Sequence, residues 1–274
     1  MTDERANVTT PVTIFDSAAQ AGAALADLIV DGIRAAAEQG RRYVLCTPSG
    51  RTPVPVYIAL AERIRTAPIP LHHVIVTMLD EYVEPDADGG YRPVDARLPH
   101  SCTRWGVVEV LERLNAASPT TPLARESLWV PDPATPEGYE DRLRELGGFD
   151  LLLLATGASD GHVAFNPQGT ERDARTRVVE LAEHTRRDNL RTFPTFCSLD
   201  EVPRHGVTIG PGSMSDLAAR TVMLITGAEK REAASRVLHA SGYDPGWPAT
   251  IIAECTRPAI FIDRDAVPAA IATS

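Results

Sequence analysis

The chain has 274 residues, with 27 Lys plus Arg against 37 Asp plus Glu and a formal net charge of −10. That balance argues against general nucleic-acid binding, which needs a basic face for phosphate, and no run approaches the roughly 18 apolar residues of a membrane span. The opening MTDERANVTT is acidic and polar, unlike a secretory leader, and Cys46, Cys102, Cys197 and Cys255 are scattered without a CxxC pair, so the expectation is a cytoplasmic protein with reduced thiols.

Residues 1–10 are expected to be a flexible N-terminus and 11–274 a single domain. Asp16 is placed to cap an alanine-rich helix over 17–39, ended by Gly40. A short strand, Tyr43–Cys46, runs into the turn Thr47-Pro48-Ser49-Gly50-Arg51-Thr52, and a helix follows with Pro53 in its first turn, where proline is tolerated. His72–Leu79 is the next strand and leads directly into Asp80-Glu81-Tyr82; Pro85–Pro99, rich in Gly, Pro and Asp, is expected to be a surface loop. Helices are predicted near Cys102–Asn115 and Pro136–Leu146. Phe149–Ala155 then carries four uninterrupted leucines, the pattern of a strand buried on both faces of a parallel sheet. Short strands at Arg177–Leu181 and Gly206–Ile209, a helix opened by Gly210-Pro211-Gly212-Ser213, a buried strand Thr221–Ile225, a helix from Ala228 to Ala240 and a late strand Ala259–Asp263 complete the chain. Apolar strands alternating with helices predict an α/β fold: a doubly wound, mostly parallel Rossmann-like sheet with helices on both faces.

The most informative stretch follows the leucines. Within a few residues of Gly157 the chain presents Asp160-Gly161-His162, and open α/β sheets build their sites at the carboxyl ends of strands. The alternative is a polar turn whose histidine only caps a neighbour. Asp80, at the end of another strand, can join Asp160 and His162 as an acid/base set; the alternative is that one of Asp80 and Glu81 caps the next helix and the other faces water, the favoured reading for Glu81. Ser49-Gly50-Arg51-Thr52 offers backbone N–H groups, hydroxyls and a guanidinium at a helix N-terminus, a good anion site that lacks the GxxxxGK[ST] spacing for a nucleoside triphosphate. An ordinary glycine turn with a threonine cap is the other reading. Lys230 is the sole lysine of the chain. It falls in the first turn of a helix, where a cation opposes the dipole unless an anion is bound there, although Glu229 and Glu232 are near enough in sequence to neutralise it. No metal-ligand spacing, GxSxG elbow or dinucleotide fingerprint occurs, so no cofactor is expected.

Taken together, these segments resemble the glucosamine-6-phosphate deaminase/6-phosphogluconolactonase family over about residues 12 to 265. The deaminase pattern PTGSTP is similar to Pro48-Ser49-Gly50-Arg51-Thr52-Pro53, MDEYVG to Leu79-Asp80-Glu81-Tyr82-Val83-Glu84, DGHIAFNEPGS to Asp160–Thr170, and SRTR to Ala174-Arg175-Thr176-Arg177. A later arginine before an aromatic matches Arg191, and the lysine of a GxxK turn matches Lys230. The lactonase branch usually reads DGHTASLFPG, so Ala164-Phe165-Asn166 leans toward the deaminase/isomerase side. The resemblance implies a Rossmann-like fold and a sugar-phosphate isomerase/deaminase acting on an amino-hexose 6-phosphate. Asp80 would shuttle a proton between C2 and C1, and His162, oriented by Asp160, would assist ring opening. Ser49, Gly50, Arg51, Thr52, Arg191 and Lys230 would hold the phosphate. Where the deaminase pattern has a glutamate this chain has Pro167, with Glu171 or Glu84 as candidate substitutes. The rival readings are a lactonase, with His162 activating water, and a non-catalytic sugar-phosphate-binding protein. A small-molecule sugar phosphate is the expected partner, without nucleic acid or membrane, and a homo-oligomer is allowed.

Overall fold

The computed structural model describes residues 10–269; apart from residue 10, the expected flexible N-terminus lies outside the described residues. β1 (Val12–Phe15) leads to α1 (Ala18–Glu38). The cap of α1 is Ser17 rather than Asp16: the Ser17 Oγ accepts from Gln20 N, while the Gln20 side chain accepts from Asp16 N at 3.0 Å, so the two side chains share the orphan donors of the first turn. β2 (Tyr43–Thr47), α2 (Val54–Thr66) and β3 (Val74–Met78) follow.

The chain then leaves the main sheet. The strand expected over His72–Leu79 stops at Met78, and β4 (Asp80–Pro85) opens a second sheet with β5 (Tyr91–Pro93). Within Pro85–Pro99, Tyr91–Pro93 therefore pairs back on β4 as a hairpin, and the rest is loop with Val94 tucked into the core. α3 (Cys102–Trp105), a widened π turn (Gly106–Glu112) and α4 (Arg113–Ala117) form the predicted helix near Cys102–Asn115. β6 (Leu128–Trp129), α5 (Pro136–Glu145), β7 (Leu151–Leu154), β8 (Arg177–Glu180), α6 (Glu183–Thr192), β9 (His205–Thr208) and α7 (Pro211–Leu217) come next. β10 (Thr221–Ile225), a 3-10 turn (Ala228–Lys230), α8 (Arg231–Leu238), a 3-10 segment (Pro248–Glu254) and β11 (Pro258–Asp263) finish the fold.

The main sheet has the order β1-β11-β10-β7-β2-β3-β6, and its pairs are parallel. Its strands alternate between two cores, as the period of two requires. Leu151 and Leu153 pack with α1 and α2, and Leu152 and Leu154 with α5, α7 and α8. Both faces are covered, which is why the strands read as unbroken apolar runs. This is the doubly wound α/β sheet expected from the sequence.

The order reverses between β2 and β7: from β2 the chain builds outward through β3 to β6, then returns to lay β7 on β2's other side. Loops leaving adjacent strands at such a point diverge and open a crevice at the carboxyl edge. The second sheet, β5-β4-β9-β8 and antiparallel, stands over that edge. It encloses a third apolar cluster that includes Met78, Tyr82, Cys102, Phe165 and Phe193. Arg177–Leu181 and Gly206–Ile209, expected simply as short strands, pair here as β8 and β9. Among the described residues no helix is long and apolar enough to cross a membrane.

Candidate active site

A cavity of about 430 Å³ occupies the crevice. Its floor is formed by the turns after β2, β7 and β10; its walls come from Asp80 and Tyr82 of β4 and from α6. Of the nine residues singled out from sequence, Ser49, Gly50, Arg51, Thr52, Asp80, His162, Arg191 and Lys230 line it. The ninth, Asp160, stands directly behind His162.

The turn after β7 explains the pairing of Asp160 and His162. The two lie two residues apart, and Asp160 Oδ1 meets His162 Nδ1 at 2.7 Å and His162 N at 3.2 Å. The chain folds this tightly because Gly157 and Gly161 carry no side chain. A Cβ on Gly157 would fall 2.3 Å from both Asp160 Oδ1 and His162 Nδ1; Gly161, at φ +63°, has the Trp247 ring where its Cβ would be. Burial alone would raise the Asp160 carboxyl, but the hydrogen bond and charge of His162 override it and hold it at about 2. An ionised Asp160 only accepts, so the imidazole proton belongs on Nδ1 and Nε2 is the nitrogen left for chemistry. Thr185 Oγ1 on α6 also approaches Nδ1, at 3.3 Å.

Asp80 is 4 % exposed. Its carboxyl is pushed up to about 7, first by burial and also by the charge of Glu81, with the Cys102 hydrogen bond and His162 acting the other way. A carboxyl poised near neutrality is what proton transfer requires. Glu81, its neighbour on the strand, points away and caps α3, accepting from Cys102 N at 2.8 Å and Thr103 N at 2.7 Å. Of the two acids it is Glu81 that caps the next helix, and neither faces water: both carboxyls are buried.

The residues expected to hold an anion line the same cavity. The Ser49–Thr52 turn feeds the N-terminus of α2; Pro53 and Pro55 carry no N–H there, and Val54 N and Val56 N bond to Arg51 O and Pro53 O, so the helix dipole with the hydroxyls and guanidinium of the turn favours negative charge. Lys230 sits where the 3-10 turn meets α8, and its Nζ donates to Thr156 O at 2.6 Å, at the end of β7. Burial lowers its pKa, Asp188, Glu229 and Asp160 raise it, and Arg51 lowers it further. Arg191 is at the rim, largely exposed, 3.9 Å from Asp188 Oδ1.

Neither acid suggested as a substitute at Pro167 lines the cavity: Glu84 is on the outer hairpin, bonded to Arg92 at 2.8 Å, and Glu171 is exposed. Other lining residues escaped sequence reasoning. Thr185 and Asp188 lie on α6, a polar helix without an apolar stripe, and Glu229 was considered only as a partner of Lys230. Cys102 lies against Asp80, a contact for which the sequence carries no local signal. Among the described residues no cluster of His, Cys, Asp or Glu could hold a metal ion.

The fold and cavity define a doubly wound α/β protein with Asp80, His162 and Lys230 lining one crevice at its switch point. The chain belongs to the family of glucosamine-6-phosphate isomerases/6-phosphogluconolactonase, whose model matches residues 16–261. It is 36 % identical over 224 residues to a glucosamine-6-phosphate deaminase of Arthrobacter sp. (strain FB24), covering 81 % of this chain and 78 % of that one. It is also 32 % identical over 254 residues to the deaminase of Beutenbergia cavernae, covering 92 % and 89 %. A solved monomeric glucosamine-6-phosphate deaminase superposes with a TM-score of 0.80 at 25 % identity, over 93 % of this chain and 98 % of that one. The 6-phosphogluconolactonase of Leishmania guyanensis shares the fold at 18 % identity and a TM-score of 0.68, over 94 % and 98 %.

Proposed function

We propose that the protein converts an amino-hexose 6-phosphate to the ketose phosphate with release of ammonia. The observation that carries this reading is that Asp80, His162 and Lys230, from three segments remote in sequence, line one cavity. The sugar's phosphate would sit at the Ser49–Thr52 turn with Arg51, Lys230 and Arg191, and a dianion there satisfies the cations held at two helix starts. With the phosphate anchored, the far end of the sugar meets His162 and Asp80.

Ring opening moves the proton of the anomeric hydroxyl to the ring oxygen, a transfer suited to His162 Nε2 with Asp160 orienting the ring. In the open chain Asp80 takes the proton from C2 and delivers it to C1. An amine proton passes to the C1 oxygen as the C2–N bond becomes an imine, so C1 ends as a hydroxymethyl carbon; water then adds to the imine and displaces ammonia, leaving the ketone. The phosphate takes no part in bond changes; its binding energy fixes the reacting carbons at the base.

Incubation with glucosamine-6-phosphate and galactosamine-6-phosphate, assaying ammonia and ketose phosphate together, tests the reading. Equal release of both products is expected from one of them, and no turnover of either removes it. Hydrolysis of a sugar-phosphate lactone that survives Asp80→Asn would favour the lactonase instead.

A further inference from the structure

One cysteine touches the base. Cys102, the first residue of α3, is fully buried, and its Sγ lies 3.3 Å from Asp80 Oδ1 and 3.5 Å from Ser49 Oγ. Glu81 fixes its place, accepting from the backbone of Cys102 and Thr103 and from Ser101 Oγ at 3.0 Å. Neighbours on a strand face opposite sides, so the two adjacent acids divide the work. Glu81 grips the start of α3, and that helix start brings a thiol back onto Asp80.

A thiol has one proton to give. Of its two neighbours the carboxylate is the stronger acceptor, because a hydrogen bond to an ionised group is charge-assisted. Burial, then the charges of Asp80 and Glu81, push the Cys102 thiol well above its ordinary value, so it stays a donor. The other titratable groups whose charge bears on Asp80 are Cys46 on β2, Glu81 and Tyr82 on β4, Tyr139 on α5 and His162 after β7. Burial keeps Cys46, Tyr82 and Tyr139 neutral, and Glu81 opposes ionisation of Asp80. Of these groups His162 and Cys102 favour it, and His162 is already engaged by Asp160.

We propose that Cys102 is a positioning residue for the base: its S–H, set by the Glu81-clamped start of α3, donates to Asp80 Oδ1, holds the carboxylate ionised and leaves its second oxygen to take the substrate proton. The proposal rests on Asp80 being the base of the reaction above. It also links the base to the anion turn, since the same sulfur lies against Ser49.

The test compares wild type with Cys102→Ala and Cys102→Ser. In kcat/KM against pH for the amino-sugar phosphate, the acidic limb should move up by about half to one pH unit in the alanine variant, the scale of one weak hydrogen bond to a charged group. On that limb the rate falls about threefold to tenfold. Serine, a donor of similar size, should restore the limb to the wild-type position or below it. In parallel, infrared difference spectra (with Asp80→Asn to assign the band) follow the protonated carboxyl of Asp80 through its titration without substrate. The same upward shift in alanine and its reversal in serine are expected there. That readout does not depend on which sugar phosphate is turned over, so it separates failure of this proposal from failure of the deaminase reading. Coincident limbs and coincident infrared midpoints in all three proteins would overturn it, as would an equal loss of activity in both variants without any shift.

Discussion

Replacing Asp80 with asparagine should abolish turnover and yet stabilise the protein above neutral pH. Folding raises the Asp80 carboxyl from 3.8 to about 7, burial being the main cause. Between those values the folded chain keeps a proton that the unfolded chain has released, so this group's contribution to stability is fully present below about pH 4 and is lost as pH rises toward 7. At about 1.4 kcal/mol per unit, the roughly three units amount to about 4 kcal/mol. Asparagine never ionises and escapes that loss. Its amide, however, is a buried polar group without a full set of partners, which costs about 1–3 kcal/mol. The net gain is about 1–3 kcal/mol at pH 8 and vanishes or reverses near pH 4. Urea unfolding followed by tryptophan fluorescence at several pH values measures the gap directly. A gap that does not widen with pH, or a variant weaker than wild type at pH 8, would refute the buried-base reasoning.

Two further outcomes follow from the same geometry. Lys230→Ala should raise KM for the sugar phosphate about tenfold to a hundredfold, since a buried charge-assisted contact is worth about 1.5–3 kcal/mol, and steady-state kinetics with unchanged KM would contradict its role at the phosphate. Gly157→Ala puts a methyl against the Asp160–His162 pair, 2.3 Å from each. Side-chain ends can swing aside, so unfolding should change little, but kcat should drop about a hundredfold, the scale of an ångström's misplacement.

The main sheet was legible in the sequence because its strands are covered on both faces. Four leucines in a row leave no other use for β7, and the turns after β2, β7 and β10 carry their chemistry next to the apolar run that positions them. The second sheet was not legible. A single residue, Leu79, separates β3 from β4, and pairing with β9, Asp80 opposite Thr208, and with β5 makes β4 a separate strand. α6 was missed for a related reason: EHTRRDNLRT has no apolar stripe, and it buries Thr185 and Arg186, the latter hydrogen-bonded to the backbone of Leu199 and Val202. Ser17 took the cap assigned to Asp16 because Gln20 follows at capping-box spacing. At the site, Asp160 and His162 could be paired from local sequence, whereas the contact of Cys102 with Asp80 spans 22 residues and depends on where Glu81 draws α3.

A crystal structure of the Asp80→Asn variant soaked with glucosamine-6-phosphate tests the central claim most directly. The account predicts the phosphate within hydrogen-bond reach of Lys230 Nζ and the Ser49–Thr52 turn, with C1 and C2 of the sugar beside residue 80 and the ring oxygen toward His162. A sugar bound in the reverse sense, or a phosphate held away from Lys230, would contradict it.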